Sequence, residues 1–231
     1  YETNKDFITS LVRFLDKPAL VEMFGEKTLY WVLKWEFNFI DNQEKASALS
    51  TDQLDVENAR RYDITYVDHD GGRQYPIILH CSPSGGIERC IYALLENAYK
   101  DQKKGKPPIF PLWLSPTQIR VIPVSDKFIE SAEEIAEQIT NHKLRVDLDD
   151  RPLTMQKKVR AAEMEWINYV VAIGQKELDS GLLSVRDRST GKIKDIPLQE
   201  FLEKATKEIQ GKPWRPLPLP TRLSKRPQFY G

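Results

Sequence analysis

The chain is 231 residues long, 40% hydrophobic and 29% charged, the makeup of an ordinary globular protein with room for one large or two small domains. Lys plus Arg and Asp plus Glu number 34 each, so no overall field draws it onto nucleic acid or membrane. The two cysteines, Cys81 and Cys90, make no disulfide framework and suit a reducing cytoplasm, and no apolar run reaches the roughly 18–20 residues of a membrane span.

In chain order, Phe7, Ile8, Leu11, Val12 and Leu15 recur at helical spacing, predicting a helix over 4–15. The opening at Tyr1, without Met, reads as a piece that has lost upstream sequence; no signal peptide is visible. Residues 20–24 and 29–41 read as strands, the second alternating Leu33, Trp35, Phe37 and Phe39 against Lys34, Glu36 and Asn38. Residues 41–52 read as a polar loop. Strands over 62–67 and 75–79 flank Asp68-His69-Asp70-Gly71-Gly72, a hairpin signal. A helix follows Ser84-Gly85-Gly86, with Ile87, Ile91, Leu94, Leu95 and Ala98 as its stripe, and ends in the Lys- and Pro-rich stretch 101–108.

Beyond a boundary near Pro111–Pro116 the pattern changes to strand 119–124, helix 127–140 with Ser125 as N-cap, strand 144–148, helix 155–166 and buried strand 167–173. Strands 182–188 and 192–196 flank Ser189-Thr190-Gly191, and Pro197 opens a last helix through about Ile209. This predicts an α+β half, residues 1–114, dominated by antiparallel strands, then a small α/β domain, 115–231, with a mixed sheet. Charge is unevenly spread in the second: Arg151, Lys157, Lys158 and Arg160 share an acid-free stretch, as do Lys212, Arg215, Arg222, Lys225 and Arg226.

The most informative stretch is His80-Cys81-Ser82-Pro83-Ser84-Gly85-Gly86-Ile87-Glu88-Arg89. A strand ends in a glycine turn where backbone can approach a ligand, and a helix N-terminus with an arginine suits phosphate. A Gly-Gly followed by Arg is by itself an ordinary turn and a surface Arg. As a whole, the stretch resembles motif 3 of class II aminoacyl-tRNA synthetases, and of the archaeal type of threonyl-tRNA synthetase in particular. Phe110-Pro111-Leu112-Trp113-Leu114-Ser115-Pro116-Thr117-Gln118 resembles that family's linker into its anticodon-binding domain, and Ser50-Thr51-Asp52-Gln53-Leu54-Asp55 its active-site loop. The likeness runs over essentially the whole chain.

The resemblance implies the last part of a class II antiparallel-sheet catalytic domain followed by an anticodon-binding domain. It implies ATP, with Mg2+, at Gly85, Gly86, Glu88 and Arg89, with Arg89, Gln53 and Lys34 as catalytic groups. It makes His80 a zinc ligand in a set of one Cys and two His, whose other two positions fall upstream of Tyr1. Judged by itself, His80 at the end of an apolar strand reads as a structural histidine. The usual Gly-Thr-Val-Gln of the loop is Ser50-Thr51-Asp52-Gln53 here, which adds a side chain and a charge. In the second half, Glu177 and Arg186 fall where the family reads anticodon bases, and Lys157, Lys158 and Arg160 are backbone-contact candidates.

The expected function is that of a threonine–tRNA ligase portion: ATP-dependent activation of threonine and its transfer to tRNA(Thr), in a cytoplasmic homodimer, with this chain inactive alone because motifs 1 and 2 are missing. The alternative is a companion paralog with a degenerate catalytic domain that binds tRNA(Thr) and acts on mischarged seryl-tRNA through an upstream domain. The altered loop points to the second, His80 and Arg89 to the first. Arg215-Pro216-Leu217-Pro218 matches a polyproline ligand formally, but a tail packed on its own protein or along tRNA explains it more simply.

Overall fold

The structure, a computed structural model, describes residue 2 and residues 5–227 and divides into two compact units, Tyr1–Phe39 with Ala46–Ile87, and Ile40–Lys45 with Glu88–Gly231. No helix among the described residues is long and apolar enough to cross a membrane.

The first unit holds helix α1 (Lys5–Leu15), strands β1 (Trp31–Ile40) and β2 (Ala46–Asp55), a short helix α2 (Asn58–Arg61), a two-residue ribbon of β3 (Tyr66–Val67) with β4 (Arg73–Gln74), and β5 (Ile78–Ser82). Its sheet has three strands in the order β1-β2-β5, with β2 and β5 antiparallel. The hairpin at 68–72 forms as expected: Asp68 Oδ1 accepts the backbone N–H groups of Asp70 and Gly72, and Gly71 turns at φ 78°. Its first strand is only Tyr66–Val67, and its second is Arg73–Gln74 rather than 75–79, since residues 78–79 join β5 beside β2.

Two expectations fail here. Residues 20–24 form no strand: Leu20, Val21, Met23 and Phe24 stand exposed, and no neighbouring strand completes a ladder for them. The polar loop of 41–52 shrinks to a turn over 41–45, because β2 begins at Ala46. The central place of β2 supplies backbone partners on both edges, and these override the weak strand preference of Ala46-Ser47-Ala48 and Ser50.

The second unit begins with α3 (Ile87–Lys103), to which turn 41–45 is tied. Asp41 accepts from the N–H groups of Gln43 and Lys45 and from the Tyr92 hydroxyl, and that hydrogen bond to a carboxylate pushes the Tyr92 pKa up to about 12. Then follow β6 (Ile119–Pro123), α4 (Ile129–Asn141), β7 (Val146–Leu148), α5 (Met155–Met164), β8 (Tyr169–Ile173), α6 (Gln175–Ser180), β9 (Leu182–Asp187), β10 (Ile193–Pro197) and α7 (Leu198–Ile209). The five strands lie in the order β10-β9-β8-β6-β7, with β6 parallel to both neighbours and β8-β9-β10 antiparallel, the mixed sheet expected.

Strand alternation splits the core in two. Ile119, Val121, Val171, Ile173, Leu183 and Val185 face α4 and α7, where Ala132, Ala136, Phe201 and Leu202 close the layer. Ile122 and Val170 face α5 through Ala162, with Ile167. The outer edge of β7 is covered by the C-terminal segment: Leu148 N–H donates to Thr221 O, Arg222 pairs with Glu133, and Ser224 bonds Asp150. The tail therefore packs on its own protein, and an otherwise open sheet edge is shielded.

Ser125 stands where a cap was expected, but its side chain caps nothing; a 3-10 turn, Asp126–Phe128, leads into α4 instead. Thr154 does cap α5, accepting from Lys157 N–H at 3.4 Å. Thr154→Ala is expected to lower stability by about 1 kcal/mol in urea unfolding, with Thr154→Ser close to wild type.

Candidate nucleic-acid interface and histidine site

In the second unit, α5 covers the sheet face over β6 and β8, and Arg186 rises from β9 beside it. Its register partner on β8 is Val170, so both share this face. The Arg186 guanidinium meets Glu163 near the end of α5 at 3.0 Å, with both side chains part exposed. They line an open cavity of about 370 Å³ with Pro107, Ile167, Val170, Arg188 and the 189–191 turn. Arg188 forms its fixed wall, donating to Pro108 O and Glu163 O at 2.8 Å each. An exposed guanidinium held beside an apolar floor, with turn residues at the rim, can accept a flat base and bond its edge.

Glu177 has a local task as well. Its Oε2 accepts the Gly174 N–H at 3.0 Å, which closes the start of α6. A Cβ at Gly174 would lie 2.8 Å from Val124 and 3.2 Å from that same Glu177 oxygen, so a side chain there would make both neighbours shift. The segment is thus a short helix rather than a bare turn. Lys157 and Arg160 are exposed on α5. Lys158 is not: it is 4% exposed, with its ammonium directed at Pro123 O. That corrects its assignment as a backbone-contact residue, since a helix carries successive residues round its axis and Lys158 falls on the face turned to the sheet. Glu163 and Arg188 were not singled out from sequence; Arg188 could have been, two residues beyond Arg186 on a strand.

In the first unit, the register of β2 with β5 pairs Gln53 with His80, Asp52 with Cys81 and Asp55 with Ile78. Gln53, Asp55 and His80 therefore share one face, and Asp52 and Cys81 the other. The Asp52 carboxylate is the chief cause that raises the Cys81 thiol pKa, through a hydrogen bond on that far face. On the near face, the Tyr30 hydroxyl donates to Gln53 Oε1 and the Tyr30 ring meets the His80 ring edge-on at 5.5 Å. His80 Nε2 lies 2.7 Å from Asp55 Oδ2. Asp55 is fully buried, and burial alone would raise its pKa. That is outweighed by the Asn58 backbone N–H, the His80 ring, the Glu57 N–H and the Asn58 amide, which hold the carboxyl well below the usual aspartate range.

Lys34 lies on β1 and pairs with Glu36. Gly85 turns at φ 73° in the first unit, while Glu88 and Arg89 stand exposed in the first turn of α3, in the second. Tyr30 was missed in the sequence, and Asp55 was seen only as the end of the loop stretch, although, two residues beyond Gln53 on a strand, it could have been placed on its face. As donors for a metal, the described residues of this face offer His80 and the buried Asp55 carboxylate, which is already engaged by His80, Asn58 and Glu57: Cys81 points away, and His69 stands exposed with Asp68 and Asp70 in the hairpin turn.

Residues 118–208, β6 to the end of α7, match a family model described as an anticodon binding domain. The chain is 49% identical over its 231 residues to a threonine–tRNA ligase of Pyrococcus horikoshii, and 54% identical over 233 aligned positions, 99% of this chain, to that of Methanothrix thermoacetophila. It spans only 37% of the length of each. Among solved structures, the RNA binding domain of threonyl-tRNA synthetase from Cryptosporidium parvum Iowa II superposes with a TM-score of 0.69. At 21% identity, over 90% of this chain and 50% of that one, this shows a shared fold. Across its whole length, then, the chain is a stretch of the threonyl-tRNA synthetase family, and it carries an anticodon-binding domain.

Proposed function

We propose that the chain is the part of a threonine–tRNA ligase that binds tRNA(Thr) through the second unit, with Arg186 and Glu177 reading anticodon bases and Lys157 and Arg160 holding phosphates. The observation that carries this is the exposed Arg186 guanidinium beside its cavity, within the stretch that matches the anticodon-binding family. Glu163 keeps Arg186 aimed before RNA arrives, and gives it up when a base edge takes over both donors.

The first unit and the start of α3 carry what this chain contributes to threonine activation. Gly85 and Gly86 let backbone approach ATP with its Mg2+, Arg89 and Glu88 add charge and hydrogen bonding, and Gln53 and Lys34 face the substrate. His80 supplies one zinc ligand. The ion, completed by ligands from the rest of the polypeptide, would bind the threonine amino and hydroxyl groups. Because the chain spans 37% of its relatives, aminoacylation and a cytoplasmic homodimer belong to the complete protein. The editing companion was favoured by Ser50 and Asp52. Both alternate away from the Gln53 face on β2, so neither side chain is added to the substrate side, and the ligase reading is preferred.

Arg186→Ala should weaken binding of tRNA(Thr) transcript by roughly five- to 150-fold, from a lost base contact worth about 1–3 kcal/mol. Glu177→Gln, which keeps an acceptor for Gly174, should weaken it less. Lys157→Ala and Arg160→Ala should reduce the salt dependence of binding by about one ion each. Equal affinity of Arg186→Ala and wild type at physiological salt rules the anticodon assignment out. For the complete protein, absence of threonine-dependent ATP–pyrophosphate exchange with intact seryl-tRNA deacylation would replace the ligase reading by the editing one.

A further inference from the structure

We propose that Asp55 is the positioning residue for His80, holding its imidazole as the Nε2–H tautomer so that Nδ1 is the nitrogen offered to zinc. The second clause rests on the zinc reading above; the first does not. Four donors converge on the Asp55 carboxylate. Oδ1 accepts the backbone N–H groups of Glu57 and Asn58 at 2.9 Å each, which fixes the plane of the group at the opening of α2. Oδ2 accepts from Asn58 Nδ2 at 2.6 Å and stands 2.7 Å from His80 Nε2. A carboxylate only accepts, so the proton between Asp55 and His80 belongs to Nε2.

The ring cannot readily turn over. Flipping it would put a ring carbon against Oδ2, whose side chain is 0% exposed, and leave that buried oxygen with Asn58 Nδ2 as its one remaining donor. Tyr30 adds a lateral wall at 5.5 Å, itself fixed by Gln53. Meanwhile 44% of the His80 side chain is exposed, so the ring has one buried nitrogen and an outward side. A ligating histidine that donates its other N–H to a carboxylate is held in one tautomer and made a better donor. With the Asp55 carboxylate engaged and His80 the one outward donor described on this face, correct aim of that ring matters more.

Asp55→Asn tests this: oxygen kept at Oδ1 for the two backbone N–H groups puts the new NH2 against His80, and the Asn58 amide turns over to present its oxygen to that NH2. The ring must then accept at Nε2 and carry its proton on Nδ1. In the 15N-labelled chain, long-range 1H–15N correlation at a pH above the histidine range should show His80 as Nε2–H in wild type and as Nδ1–H in Asp55→Asn. The chain has three histidines, and His142 serves as the reference: its Nδ1 lies 2.9 Å from Gln138 O, so it must be Nδ1–H. In the complete polypeptide, which brings the other two ligands, added zinc should shift the His80 Nδ1 resonance, with roughly ten- to hundred-fold weaker response in Asp55→Asn.

Wild-type His80 found as Nδ1–H overturns the proposal, and needs no folded variant. Zinc that acts through Nε2, or equally on both proteins, overturns it while the zinc reading survives. In the complete polypeptide, zinc that leaves every His80 resonance unmoved removes the zinc reading instead, with the wild-type tautomer still deciding the role of Asp55.

Discussion

Replacing Arg120 by methionine is expected to destabilise the second unit by about 3–5 kcal/mol. Arg120 lies in the middle of β6, completely buried, on the face turned to α5. Its guanidinium makes a two-bond fork with Asp147 of β7, at 2.8 and 2.9 Å, and another with Glu165, at 3.0 and 2.7 Å. Burial works against the charged form of Arg120, but these two carboxylates outweigh it and raise its pKa. Removing the guanidinium leaves the Asp147 carboxylate, itself 0% exposed, with Arg226 Nη1 at 3.0 Å as a remaining cation. Glu165 is half exposed and can turn to water, so most of the loss comes from Asp147. The double variant Arg120→Met with Asp147→Leu should regain most of it, since replacing a buried pair by apolar groups is often neutral or better. Urea unfolding followed by circular dichroism checks both. A single variant within about 1 kcal/mol of wild type would mean that Arg226 and water carry Asp147 unaided.

Gly85→Ala is expected to damage the first unit by at least about 2–3 kcal/mol. Two costs combine. Gly85 has φ 73°, where a side chain costs roughly 1–2 kcal/mol. A Cβ built there would also lie 2.0 Å from the backbone oxygen of Leu49, which cannot swing aside as a side chain could. The turn must therefore back away from β2, just before Ser50. In hydrogen exchange, amides of β2 and β5 should lose protection in Gly85→Ala while those of β6 and β8 keep theirs. Gly25→Ala is the control, as nothing lies within 4 Å of its added Cβ. Unchanged protection in β2 and β5 would show that Gly85 marks the turn without being required by it. The same close approach explains why this glycine reads as a motif: the backbone position is set by its neighbour strand, whatever ligand it meets.

Much of this protein is determined by local chemistry that the sequence states openly. Helices α3, α4, α5 and α7 carry apolar stripes at 3.6-residue spacing, and the Asp68–Gly72 and Ser189–Gly191 turns carry the residues that their backbones need. Family likeness was legible because the glycines, histidine and arginine stand at fixed offsets around one turn. Tertiary structure decided the rest. β2 is a strand because partners on both sides claim its backbone, while residues 20–24, more apolar, find none. Lys158 looked like its neighbours Lys157 and Arg160, and only the direction in which α5 packs turned it inward. Gln53, Asp55 and His80 lie 25 and 27 residues apart in the chain, across the β2–β5 register, and only that register puts them on one face, with Asp52 and Cys81 on the other. A period of two states which residues alternate; it does not state which strand lies alongside, and that pairing is what makes the site.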